Sequence, residues 1–105
     1  MAVDLTPDEV LARLQGPEAP RVVDVRTPLE FAGRHIPGAD LIPIDEFAAR
    51  VQELDPEEEI VVVCEHGIRS AAAVGYLAQL GYTHCANMRY GMSAWRGPVK
   101  AGMEP

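Results

Sequence analysis

The chain has 105 residues, 48% hydrophobic and 24% charged, the size and composition of one globular domain with a core of its own. Its net charge of −7 leaves no basic footprint of the kind that nucleic acids or anionic membranes demand. Two cysteines do not staple a chain of this length, the opening MAVDLTPDEV lacks the basic and apolar regions of a signal peptide, and no apolar run reaches the ~18 residues that span a bilayer; free thiols in a reducing cytoplasm are therefore expected.

Ala2-Val3 opens a very short strand in this reading. Thr6-Pro7-Asp8-Glu9 then carries the grammar of a helix start: a capping threonine, a proline at the first helical position and a glutamate placed to reach back. Val10, Leu11 and Leu14 form the apolar face of that helix, which stops at Gly16-Pro17. Arg21 to Val25 reads as a strand. Thr27-Pro28-Leu29-Glu30 repeats the capping grammar and starts a short helix to about Arg34, and His35-Ile36-Pro37-Gly38 is a turn. Ala39 to Ile42 is a further short strand, Asp45 caps a helix carrying Phe47, Ala48, Val51 and Leu54, and the acidic 55–59 stretch is a solvated connection.

Ile60 to Val63 is apolar throughout, as expected of a strand buried on both faces. A helix follows from about Ser70 to Leu80. Gly81 stops it, and Tyr82 folds back on Leu77 in a Schellman arrangement. His84 to Met88 is the last strand, Gly91 to Trp95 a short helix, and 98–105 a tail. Five strands alternating with helices predict an α/β fold with a mainly parallel sheet, in a single domain over 1–105.

Between the buried strand and the following helix lies CEHGIRS, Cys64 to Ser70. Ligands of open α/β sheets sit beyond the carboxyl ends of the strands, and Cys64 falls at that edge. Gly67 permits the positive φ with which successive N–H groups curl into an anion-binding nest. The helix N-terminus adds about half a positive charge. Both favour a thiolate, so Cys64 is predicted to have a lowered pKa and to act as a nucleophile. Glu65, His66, Gly67, Ile68, Arg69 and Ser70 make up the loop that would hold an anionic adduct or substrate. Cys85 lies inside an apolar strand with no loop after it and reads as packing.

Taken together, three segments in order resemble a known family. VVDVRTPLEFAGRHIPGADLIPIDEF, CEHGIRSAAAVGYLAQLGY and NMRYGMSAW resemble the signature segments of single-domain rhodaneses, and the likeness spans nearly the whole chain. The resemblance implies a five-stranded sheet with helices on both faces, and sulfurtransferase activity through a Cys64 persulfide. The implied donor is thiosulfate or another sulfane-sulfur compound, the acceptor a thiol, cyanide or a protein. It implies no cofactor, because the sulfur rides on the protein. Related phosphatases and arsenate reductases place one more residue between the cysteine and the arginine. Here Cys64 and Arg69 enclose four residues, and the tighter loop suits one sulfur atom better than a phosphate.

Within this frame Arg69 is the electrostatic anchor for an anionic donor. Glu65 departs from the basic residue that thiosulfate-using members often carry there, and an acid would repel a dianion. Asp24 and Arg26 read as structural, Arg26 being spaced to pair with Glu30. His35 reads as a structural histidine, Trp95 and Met92 as packing, and the Tyr90 ring as a rim at the mouth of the site. Cys64-x-His66 and His84-Cys85 fit no usual zinc spacing, so no metal site is predicted. A sulfur-relay or protein-interaction module with little small-molecule turnover is the alternative from another class.

Overall fold

A computed structural model describes residues 3–105. Among the described residues, eleven elements follow one another. The strands are β1 (Val3–Leu5), β2 (Arg21–Asp24), β3 (Asp40–Leu41), β4 (Ile60–Val63) and β5 (Cys85–Met88). The α-helices are α1 (Pro7–Leu14), α2 (Pro28–Gly33), α3 (Ile44–Phe47) and α4 (Ile68–Gln79), with 3-10 segments at Ala48–Glu53 and Gly91–Ala94. All pairings are parallel, in the order β1-β5-β4-β2-β3, so the sheet is wholly rather than mainly parallel and β4 is its centre. Of the expected Ala2-Val3 strand, Ala2 lies outside the described residues, and the strand that begins at Val3 continues to Leu5.

Side chains alternate across a strand, and this alternation builds two cores. Val61 and Val63 face one side with Val22, Ala86 and Met88, where Val10 of α1, Phe31 of α2 and Trp95 cover them. Ile60, Val62 and Cys64 face the other side with Val23 and Cys85, beneath Phe47 of α3 and Ala73, Val74 and Leu77 of α4. Each fully buried side chain of this kind contributes about 1.5–3 kcal/mol, and all four residues of β4 are apolar and buried.

Both Thr-Pro capping boxes form. Thr6 accepts from the Glu9 N–H while Glu9 accepts from the Thr6 N–H, and Thr27 and Glu30 do the same. At the end of α4 the Tyr82 N–H reaches the Leu77 carbonyl and the Gly81 N–H reaches that of Ala78, the two bonds of a Schellman motif.

Three local expectations need correction. The helix after Cys64 starts at Ile68 rather than Ser70, because Gly67 takes the left-handed conformation (φ 85°) and turns the chain into the helix two residues early. Asp45 caps nothing: it sits inside the first turn of α3, whose N-cap position is Pro43, and α3 tightens into 3-10 geometry after one turn. Arg26 does not pair with Glu30. It turns inward to Asp24 and Glu65, while Glu30 takes Arg69. Residues 98–105 are exposed yet tied down: His35 and Lys100 exchange both backbone hydrogen bonds at 2.9 Å, and the Gly102 N–H donates to Ala32.

Candidate active site

The carboxyl end of β4 delivers Cys64 to the start of α4. Cys64 is 1% exposed, packed on the α4 side of the sheet. Its Sγ lies 3.1 Å from the Gly67 N–H and 3.2 Å from the Ser70 Oγ. Burial raises the thiol's pKa. The Ser70 hydroxyl and the N–H groups of Ser70, His66 and Gly67 lower it and prevail, so Cys64 ionises more readily than an ordinary thiol. Cys85 supplies the contrast. It is buried with no such donors, and burial pushes its pKa up.

The loop owes its shape to the turn behind it. Tyr90 and Gly91 both have a φ of 66°, and this double left-handed step brings the 3-10 segment against the loop. The Met92 N–H then donates to the Cys64 carbonyl at 2.8 Å and the Ser93 N–H to the Glu65 carbonyl at 3.0 Å. With those carbonyls engaged, the N–H edge of the loop is left for the sulfur. A Cβ at Gly91 would meet the Cys64 and Glu65 backbone at 2.5 Å, and one at Gly67 would meet the Tyr90 nitrogen at 2.9 Å. Both glycines are therefore demanded by close backbone approach as well as by φ. The Tyr90 backbone closes on the loop, while its side chain stays 57% exposed beneath the Arg89 guanidinium.

A buried polar chain extends from the sulfur into the sheet. Ser70 Oγ donates to Asn87 Oδ1 of β5. Asn87 Nδ2 in turn donates to Asp4 Oδ1 at 3.2 Å and to the Gly67 carbonyl at 3.3 Å, which fixes the amide's orientation. Ser70 thus has one proton and two acceptors once Cys64 is a thiolate. Asn87, the first residue of NMRYGMSAW, joins the Cys64 site through Ser70, a place that the resemblance does not assign to it. Its signal in the sequence is a buried amide in the otherwise apolar CANM strand, which has to find partners.

The charged residues are arranged differently from expectation. Arg26, 2% exposed, holds both Asp24 oxygens, donates to Glu65 Oε1 at 3.1 Å and to the Arg34 carbonyl at 2.7 Å. Asp24 also accepts from the Arg26 N–H, which fits its reading as a structural residue. Glu65, expected to face a donor as a bare acid, is thus ion-paired. Arg69, expected to await an anionic donor, grips Glu30 with both Nη atoms at 2.8 and 2.9 Å. That grip and the Thr27 hydrogen bonds outweigh desolvation and hold the Glu30 carboxyl at a pKa of about 2. His66 and Ile68 are exposed on the loop, Ile68 at 78%. His35 lies away from this cluster, stacked on Phe31 with ring centroids 3.7 Å apart and its Nδ1 on the Phe31 carbonyl; its buried Nε2 has no hydrogen-bond partner among the described residues.

The arrangement can stabilise a thiolate at a strand end and hold a further small anion against the N–H groups of a helix start. Comparison with known proteins agrees in kind. A family model described as "Rhodanese-like domain" matches residues 6–98. A "Sulfurtransferase" of Allochromatium vinosum is 35% identical over 95 residues, covering 90% of this chain and 89% of that protein. A "Thiosulfate sulfurtransferase GlpE" of Pseudomonas fluorescens is 39% identical over 75 residues, 71% of this chain and 69% of the relative. The crystal structure of a rhodanese-like domain protein from Staphylococcus aureus superposes with a TM-score of 0.88 at 34% identity, covering 94% of this chain and 97% of the other.

Proposed function

Because the chain belongs to the rhodanese-like domain family, we propose that it transfers sulfane sulfur through a persulfide on Cys64. The observation that carries this reading is the Cys64 thiol itself, at the end of a central strand, lowered in pKa and facing the N–H of Gly67 and the hydroxyl of Ser70. The thiolate's electron pair attacks the outer sulfur of a donor R–S–S⁻ or of thiosulfate. A Cys64–S bond forms, the donor's S–S bond breaks, and its electron pair leaves with the thiolate or sulfite. The terminal sulfur of the persulfide is anionic. The loop N–H groups, those of Gly67 to Ser70 above all, are its donors, because the first N–H groups of a helix have no partner within it. An acceptor thiolate or cyanide then attacks that sulfur and returns the Cys64 thiolate. No resident metal or cofactor takes part in this scheme, and a reducing cytoplasm keeps Cys64 available for it.

Intact mass after incubation with a panel of sulfane-sulfur donors tests the reading. The expected result is a gain of one sulfur atom, lost in Cys64→Ser and reversed by cyanide. If no donor loads Cys64, the reading is wrong. A relay between proteins is a second reading, supported by the exposed Ile68 on the loop and the exposed Leu29 beside Glu30. Faster transfer to a protein thiol than to any small acceptor would select it.

A further inference from the structure

The geometry points to Glu30 as the residue that sets the charge of the molecule Cys64 can attack, by holding Arg69, on the first turn of the helix that follows Cys64, in a two-pronged ion pair. The choice of sulfur donors rests on the sulfurtransferase reading; control of charge at Cys64 does not.

Arg69 follows Gly67 by two residues, on the first turn of the helix that Cys64 Sγ faces, and its pKa is raised first by its hydrogen bonds to Glu30 and less by the Cys64 charge. It is the guanidinium an incoming anion would use. Both of its Nη atoms are engaged with Glu30, in the parallel fork that is the strongest arrangement for this pair. Glu30 is not free to swing away. Its Oε1 also accepts the Thr27 N–H at 3.0 Å and the Thr27 hydroxyl at 3.2 Å, so the capping box of α2 anchors the carboxylate that captures Arg69. An anion that wants Arg69 must share it with, or take it from, a preorganised competitor.

The second guanidinium offers no substitute. Arg26 is buried between Asp24 and Glu65 and the Arg34 carbonyl. Two guanidinium groups thus face three carboxylates, and a Cys64 thiolate adds one more negative charge. The groups in contact with the sulfur are the Gly67 N–H and the Ser70 hydroxyl, which carry only partial charge. A dianion such as thiosulfate is opposed here. A neutral or singly charged sulfane-sulfur compound, an organic persulfide or a thiosulfonate, is opposed less, and that is the donor class the site fits.

Glu30→Gln separates charge control from bracing. The amide oxygen can still accept from Thr27, since glutamine serves the same capping box. First, Cys64 is alkylated in parallel with iodoacetate, an anion, and iodoacetamide, its neutral counterpart. The variant is expected to raise the iodoacetate-to-iodoacetamide rate ratio by about fivefold, as for removal of one partly screened charge. Second, kcat/KM is measured for thiosulfate, a dianion, and benzenethiosulfonate, a monoanion. The thiosulfate-to-thiosulfonate ratio should rise by about the same factor. A pair that only braced α2 against α4 would lower stability and leave both ratios at the wild-type value, and that result overturns the assignment. A raised alkylation ratio in a protein whose Cys64 takes sulfur from no donor supports charge control by Glu30 and sinks the sulfurtransferase reading instead.

Discussion

One substitution made at two places in the α4 region, glycine to alanine, should have opposite effects. At Gly67 the backbone has a φ of 85°, and the new Cβ would stand 2.9 Å from the Tyr90 nitrogen, 3.4 Å from the Met88 oxygen and 3.6 Å from the Arg89 carbonyl carbon. The conformation alone costs an alanine about 1–2 kcal/mol. The contact is with backbone on every side, so the loop or the turn must move, which adds about 1–2 kcal/mol. Gly67→Ala is therefore expected to lose about 2–4 kcal/mol. Gly75 lies inside α4 with ordinary helical φ and nothing within 4 Å of a Cβ. Gly75→Ala should gain about 0.5–1 kcal/mol from helix propensity. Urea unfolding of both variants beside the wild type gives the two free energies. Iodoacetamide labelling adds a local readout: Gly67→Ala should slow at Cys64, because the moved loop takes the Gly67 N–H from the sulfur, and Gly75→Ala should not. Two variants with the same sign, or a Gly67→Ala protein with wild-type stability and labelling, would refute the claim that this loop's close approach dictates the glycine.

Ser70→Ala removes the hydroxyl whose single proton the Cys64 thiolate and Asn87 Oδ1 compete for, so the pH midpoint of Cys64 alkylation should move up, and loss of the buried hydroxyl should cost about 1–3 kcal/mol in urea unfolding. An unmoved midpoint would exclude Ser70 from thiolate stabilisation. Arg26→Met strands the Asp24 carboxylate in the core and should cost about 3–5 kcal/mol, whereas a loss under about 1 kcal/mol would mean that Asp24 finds other partners. Glu30 links stability to pH. Its folded pKa of about 2 lies below the ordinary 4.5, so its contribution is complete above the ordinary value and fades as pH falls from about 4.5 toward 2. The stability gap between wild type and Glu30→Gln should accordingly be open at pH 7 and narrow across that window; a gap that stays constant to pH 2 would show that the carboxylate's charge contributes nothing.

The features legible in the sequence are local in origin. Each Thr-Pro capping box involves residues three apart, the Schellman stop spans Leu77 to Tyr82, and the apolar run of β4 announces burial on both faces. Cys64 can be placed because a strand end, a glycine and a helix start are consecutive in the chain. The charged partners cannot. The spacing from Arg26 to Glu30 suits a local pair, yet Arg26 reaches Glu65 and Arg69 reaches Glu30, each across 39 residues. Which carboxylate wins a guanidinium is decided by how β2, α2 and the Cys64 loop converge, and one-dimensional spacing does not contain that. Gly67 is recognisable as a glycine needing freedom, but its left-handed turn acts as the helix start itself, which brings α4 two residues closer to the cysteine.

That two-residue difference bears on the chemistry. With α4 beginning at Ile68, the N–H groups of Ile68, Arg69 and Ser70 all belong to the open first turn, and Ser70 sits where its hydroxyl meets the sulfur. The groups that touch the sulfur are thus backbone and a neutral hydroxyl, while the Arg26 and Arg69 guanidinium groups are held by Asp24, Glu65 and Glu30. Full charges act over long range and draw anions in from solution; backbone N–H groups act only within hydrogen-bond reach. A cradle of the second kind does little to recruit an anion and much to hold one that is created in place, as the terminal sulfur of a Cys64 persulfide would be. On the proposed route, the Glu30 carboxylate that starts α2 would oppose the dianionic donor more than the adduct, and the ratio of thiosulfate to thiosulfonate turnover measures that division.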